Sequence, residues 1–196
     1  MTAPAKINFK IYQGSTFSEV LRWESGEKVY KPITGITKSA PVVITAVAHA
    51  VPIDWRVRFT NILGMTDLNS TENYNLVTGT TTDTITINTI NALSYKDYIS
   101  GGIVEYNKPV DLTGFTARMQ IRSDITSSTV LKELTTENAG ITINNTLKTI
   151  ILNISATDTA TFTFSSAVYS LEMVSSAGIV TPFTAGTVSL IKEVTR

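Results

Sequence analysis

The stretch Pro109-Val-Asp-Leu-Thr-Gly-Phe-Thr-Ala-Arg-Met-Gln-Ile-Arg122 constrains the chain most, because its second half suits one kind of backbone. Ala117, Met119 and Ile121 alternate with Arg118, Gln120 and Arg122. That period of two puts apolar side chains on one face of a strand and polar ones on the other. The lead-in is turn chemistry: Asp111 and Thr113 can bond nearby backbone, and Gly114 is free to take a positive φ. A half-buried strand entered from a loop is the expectation. The strand-rich opening of the chain breaks off before this point and is resumed by it, which predicts an inserted domain.

The chain of 196 residues is long enough for one large domain or two small ones. Its 16 Lys+Arg balance 16 Asp+Glu, so no global field gathers a polyanion, and nucleic acid is not an expected partner. Many Thr, Ile, Val, Tyr and Phe favour pleated surfaces, which predicts an all-β fold. Cysteine is absent, which excludes disulfides, thiolate metal sites and cysteine nucleophiles. Met-Thr-Ala-Pro-Ala-Lys at the start lacks the run of a secretion signal, and the apolar runs are too short to span a bilayer. A soluble product made in the cytoplasm, with no membrane partner, is the expectation.

Along the chain, Lys6 to Tyr12 alternates around Ile7, Phe9 and Ile11, and Thr16 to Trp23 places Phe17 and Leu21 among polar neighbours. Glu24-Ser-Gly-Glu27 has hairpin-loop composition, and Val29-Tyr30 opens a short strand that Lys31-Pro32 cuts off. From Ile33 short strands follow closely: two around the turn at Ser39-Ala-Pro41, then Trp55-Arg-Val-Arg-Phe59, Tyr74 to Val77, Asp83 to Asn88 and Ile103 to Tyr106. In the third, Trp55, Val57 and Phe59 face in while Arg56 and Arg58 face out. Asn61 to Asn69 reads as a compact loop. After the opening stretch come Val130 to Leu134, a hairpin of Ile141 to Ile154 turning at Asn144 to Lys148, and a brief helical turn capped by Ser155. Tyr169 to Met173, Ile179 to Phe183 and Gly186 to Val194 close the series. Residues 1–31 and 107–196 are expected to form a discontinuous immunoglobulin-like β-sandwich, and 32–106 an inserted small β-barrel.

Chemistry-bearing residues are sparse. His49, the single histidine, lies between apolar residues at a strand end and reads as structural. Asp54, Asp67, Asp83 and Asp97 sit in separate turns without calcium-loop spacing. Glu105, Asp111, Glu133 and Glu172 are the acids that distant strands could bring together for glycoside hydrolysis. Asp111 fits a turn, and the three glutamates fit outward, solvated strand positions. Arg56, Arg58, Arg118 and Arg122 read as outward strand faces rather than a nucleic-acid stripe. Neither a nucleophile elbow nor a phosphate-binding glycine loop occurs. No catalytic residue, cofactor or metal is expected.

Two patterns resemble known families. Gln13-Gly-Ser-Thr-Phe17, Asp111 to Arg122, Leu131-Lys-Glu-Leu-Thr-Thr136, Ile154-Ser-Ala-Thr-Asp-Thr159, Tyr169-Ser-Leu-Glu172 and Glu193-Val-Thr-Arg196 are similar to the N-terminal domain of baseplate upper proteins of tailed bacteriophages. Ile33 to Pro41, Trp55 to Phe59, Gly64 to Asn69 and Ser100 to Ile103 resemble the small β-barrel named after the first catalytic cysteine half-domain of ubiquitin-activating enzymes. Without cysteine that second resemblance implies a fold and no thioester chemistry. Its usual Ala-His-Gly turn stands here as Ala48-His-Ala50.

Together the resemblances imply a virion structural protein, a tail, neck or baseplate adaptor whose partners are other virion proteins, in a homo-oligomer or symmetric array. Capsid decoration is the alternative placement. A carbohydrate-binding or hydrolytic module using Tyr95, Asp97 and Tyr98 is the reading from another class, and a cytoplasmic host-interaction protein a third. The expected contact residues are Asn61, Leu63, Met65, Leu68 and Asn69 of a protruding loop. Val188, Leu190, Val194 and Arg196 of a terminal strand offering a sheet edge complete the set.

Overall fold

The computed structural model describes residues 3–194 and is all-β, apart from one 3-10 turn at Thr66–Leu68 and one short helix. The chain divides into two compact units, an outer one of Met1–Arg22 with Asp111–Arg196 and an inserted one of Trp23–Val110. Arg196 lies outside the described residues.

The outer unit begins with β1 (Ala5–Lys6), β2 (Phe9–Tyr12) and β3 (Phe17–Leu21). Phe9 and Ile11 are buried while Lys10 and Tyr12 are exposed, so the alternation works as read. Ile7 and Asn8 interrupt it and separate β1 from β2.

The inserted unit follows with β4 (Glu24–Pro32), β5 (Gly35–Ile36), β6 (Val42–Thr45) and β7 (Arg56–Leu63). Next come β8 (Asn75–Leu76), β9 (Gly79–Thr80), β10 (Thr84–Ile87) and β11 (Ser100–Pro109). One sheet runs β4-β11-β7-β8 and the other β5-β6-β10-β9. Each edge of the first leads through two residues into an edge of the second: β4 into β5 across Ile33 and Thr34, β8 into β9 across Val77 and Thr78. Both sheets feed one core, in which Val42, Ile44, Ile85 and Ile87 meet Trp55, Val57, Phe59 and Val104. At about 1.5–3 kcal/mol per fully buried large apolar side chain, this core is the main source of the unit's stability.

Two local readings are corrected here. Glu24 to Glu27 is part of a strand rather than a hairpin loop, because β4 runs on through a bulge until Glu24 pairs with Pro109 of β11. The strand containing Val29 and Tyr30, assigned from sequence to the outer domain, pairs with β11 of the inserted unit.

The chain returns to the outer unit with β12 (Thr116–Arg122), β13 (Val130–Thr135), β14 (Ile141–Asn144) and β15 (Thr149–Ile154). The helix α1 (Ala156–Ala160), β16 (Ser166–Val174) and β17 (Val180–Ile191) complete it. Gly114 does adopt φ +70° at the entry to β12, and the Ser155 side chain caps α1 by accepting from the Asp158 amide. One sheet runs β1-β17-β16-β12-β13 with β2 also on β17; the other runs β14-β15-β3. Phe9 and Phe17, one from each sheet, meet edge to face at 5.6 Å, and Tyr169 lies 4.8 Å from Phe9.

The last two sequence-read strands are one strand of twelve residues, and it is not an edge. β16 lies antiparallel on one side of it, and β1 and β2 lie parallel on the other. Gly186 makes this approach feasible, since a Cβ there would sit 1.9 Å from the Ile7 carbonyl oxygen.

Candidate interaction surfaces

The outer face of β4-β11-β7 carries a sealed ionic cluster. The register sets Glu105 opposite Arg58 on one side and Tyr30 on the other, with Lys28 on the diagonal. Arg58 Nη2 donates to Glu105 Oε2 at 2.7 Å. Lys28 Nζ lies 3.2 Å from Oε1 as an ion pair, without the alignment of a hydrogen bond. Tyr74 closes the top: Lys28 donates to its hydroxyl at 2.7 Å, and the cations of Lys28 and Arg58 stand 5.2 and 5.6 Å from its ring centre. Glu105 is thereby 5% exposed, which corrects its reading as a solvated strand residue. Burial pushes its carboxyl up, but the hydrogen bond from Arg58 and the nearby Lys28 ammonium outweigh that and hold it below the usual range. Beside this cluster Arg56 grips Glu24 with both of its donor types, and Asn107 donates to Glu24 while accepting from the Trp55 indole.

The end of β7 forms the second surface. Asn61 takes φ +59°, which turns the chain so that Met65 and Leu68 fold inward, at 0% and 4% exposure. The Asn69 side chain then pairs with the backbone of Ile62, accepting from its N–H at 2.9 Å and donating to its C=O at 3.0 Å. It occupies the place of a neighbouring strand where β8 does not reach. Leu63 and Ile99, joined by a backbone bond of 2.9 Å, remain 57% and 73% exposed.

In the outer unit, β12 turns Arg118, Gln120 and Arg122 outward, as expected. Arg118 donates to Glu172 at 2.8 Å, Gln120 to Glu133 at 2.7 Å, and Arg122 to Gln120 and to the Ser127 carbonyl. Between these ties a shallow trough crosses the sheet over Val168, Ser170, Ala185 and Gly186, and Ile125 stands at its border with 90% exposure.

The four acids do not form one cluster. Glu105 belongs to the inserted unit; Glu133 and Glu172 lie on β13 and β16, separated by β12; Asp111 is held by Thr113, Asn145 and Lys148. Each of the four arginines named above has a partner, which leaves none of them free for phosphate. His49 is 1% exposed: Nδ1 accepts from the Val51 amide, so Nε2 carries the proton given to the Thr84 carbonyl. Tyr95 and Tyr98 pack against the core, and Asp97 pairs with Lys38. Among the described residues no group of three or more His, Asp or Glu is arranged to hold a metal, and no helix is long and apolar enough to cross a membrane.

Of the nine expected contact residues, Met65, Leu68, Val188 and Leu190 belong to cores, and Asn61, Leu63, Asn69 and Val194 are exposed. Ile99 and Ile125, both exposed, stand outside that set: each lies in a loop, where periodicity says nothing about burial. No protein-family model matches this sequence, and no curated protein matches it.

Proposed function

We propose that the chain is a structural protein of a tailed-bacteriophage particle, a tail, neck or baseplate adaptor without bond-making machinery. In this reading an immunoglobulin-like sandwich docks on the particle, and an inserted β-barrel serves a neighbouring subunit. The observation that carries it is the strand order of the outer unit. Lettered in chain order, with β1 and β2 as A, its sheets are A-G-F-C-C′ and D-E-B, the immunoglobulin arrangement except that A pairs with G. The whole inserted unit occupies the link between B and C. For that unit, the two seams at Ile33-Thr34 and Val77-Thr78 support a closed barrel of six strands, counting each continued pair as one.

The contacts of such an adaptor would be weak singly and multiplied by symmetry. Ion pairs satisfied within each sheet face offer a partner little, so exposed apolar side chains such as Leu63, Ile99, Ile125 and Ile179 are among those that gain most from burial. Locating the chain in a reconstruction of purified particles tests the proposal. Density at the tail, neck or baseplate supports it, density on the shell moves it to capsid decoration, and absence from particles overturns it.

A further inference from the structure

Among the described residues β4 is the longest strand at the end of any sheet, nine residues with β11 on one side only; its ladder is regular from Lys28 to Pro32 and bulged before that, and the pairing onto β6 that continues the proposed barrel is made by β5. The other terminal strands of the inserted unit, β5, β8 and β9, have two residues each. Which groups face its free side follows from one bond. Ile33 N–H donates to Gly102 O, so the alternation of an antiparallel ladder turns Val29 and Lys31 toward β11. The N–H and C=O of Lys28 and Tyr30 then point away from it. Pro32, next in that outward set, has no N–H to leave unpaired and ends the row.

We infer that this edge is a self-pairing surface, on which β4 of a second copy adds antiparallel about a twofold axis through Val29. The register is specified by the residues. Centred on Val29, Lys28 stands against Tyr30 of the partner subunit, and their outward N–H and C=O groups satisfy each other on both sides of the axis. The same centring brings Glu27, at the bulge where β4 leaves its regular ladder with β11, beside Lys31 of the partner subunit, twice, so that opposite charges face each other across the axis. Centring on Lys28 would oppose that lysine to itself, and centring on Tyr30 would oppose Lys28 to a proline. Tyr30, 59% exposed, has its ring free to lie along the Lys28 stem of the second copy. This pairing is independent of the virion reading: a dimer absent from particles would keep the one and lose the other.

Sedimentation equilibrium on the full chain reads the result directly, the expected species having twice the mass of the 21.3 kDa chain. Lys31→Glu and Glu27→Lys should each weaken association by roughly tenfold, because each puts two like-charged pairs across the axis. The double variant carrying both should recover it, since the pairs are then exchanged. Circular dichroism should be unchanged throughout; the Glu27–Lys108 pair lost in the two variants that carry Glu27→Lys is exposed and worth little. A wild-type monomer, a dimer indifferent to both single reversals, or a double variant that stays monomeric would each overturn the inference.

Discussion

The outer and inserted units are both pairs of small sheets around an apolar core, yet they bury different polar groups and are closed differently. Among the described residues the buried polar ones of the outer unit are Thr149, Thr159 and Thr184, small hydroxyls of which that of Thr159 lies within hydrogen-bond distance of the Ser15 and Ala156 carbonyls. Those of the inserted unit are His49 and Glu105, an imidazole and a carboxylate that must be matched atom by atom. The outer unit is assembled from both ends of the chain, since β1 and β2 pair with β17. The inserted unit is one continuous segment whose ends meet, the Val110 amide donating to the Trp23 carbonyl at 3.0 Å. Both units rest on apolar cores; the outer one adds strand pairing between remote ends of the chain, the inserted one local closure and a matched charge cluster.

Excision tests that contrast most severely. A fragment of residues 23–110 should fold alone, with a cooperative thermal transition and a stability of about 5 kcal/mol or more, since its core and its closure are internal. Removing residues 180–194 instead takes β17 from the middle of its sheet and should leave the outer unit unfolded. A fragment 23–110 without a transition would show that the inserted unit borrows stability, and the comparison would fail.

Charge removal sharpens it at a smaller scale. Glu105→Ala leaves Arg58 and Lys28 facing each other beneath Tyr74. Breaking a fully buried pair costs about 3–5 kcal/mol, and here about 2 is expected because both cations retain some contact with water. In the outer unit Glu172→Ala removes a more exposed partner of Arg118 and should cost at most about 0.5 kcal/mol. Denaturant midpoints of the two variants give the ratio; equal losses would mean that the ionic cluster is no more than a surface pair.

Acid should act on both units in the same direction. The Glu105 carboxyl is held below its ordinary 4.5, so its stabilisation is complete above that value and declines as pH falls through the lowered one. Asp111 in the outer unit, bonded first by the Thr113 hydroxyl and then by Asn145, is lowered to about 2 and behaves alike between its ordinary 3.8 and that pH. Titration of unfolding should therefore show stability falling from just below pH 4.5. Glu105→Gln should flatten the upper part of the loss and Asp111→Asn the lower part. A profile unchanged in both variants would assign acid sensitivity elsewhere.

Much of this fold was legible because the alternation was strong where a strand has one wet face. Trp55 to Phe59, Ala117 to Ile121 and the hairpin of Ile141 to Ile154 lie as their periods require. The misses share a physical cause: the deciding partner was remote in sequence. Glu105 does point outward, as its period says, but Lys28, Arg58 and Tyr74 arrive over it from other strands. Glu24 to Glu27 looks like a loop until β11, some eighty residues on, is beside it. Nothing within Gly186 to Val194 announces that β1 and β2 cover its outer side. Leu63 could be named as a contact residue because it ends an alternating strand, whereas Met65 and Leu68 are turned inward by the positive φ at Asn61.

The smallest effect concerns a device that the two units share. Asn69 covers the edge of β7 at one residue, as described above, and Asn138 covers the edge of β13 by bridging two. The Asn138 Oδ1 accepts from the Thr135 amide at 2.9 Å and its Nδ2 donates to the Glu133 carbonyl at 3.2 Å. Each replaces strand pairing by a side chain, which satisfies the outward backbone groups and denies them to another chain. Both are near water, so the exposed backbone groups regain bonds when the amide is removed. Asn69→Ala and Asn138→Ala should therefore each cost about 1 kcal/mol, a fall in melting temperature of about 4–8 °C for a unit of this size. The larger change should be local: amide hydrogen exchange should quicken at Ile62 in one variant and at Thr135 in the other, with the opposite unit unaffected. Quickened exchange throughout both units in either variant would mean that they unfold together, and the contrast between local and long-range closure would have no energetic content.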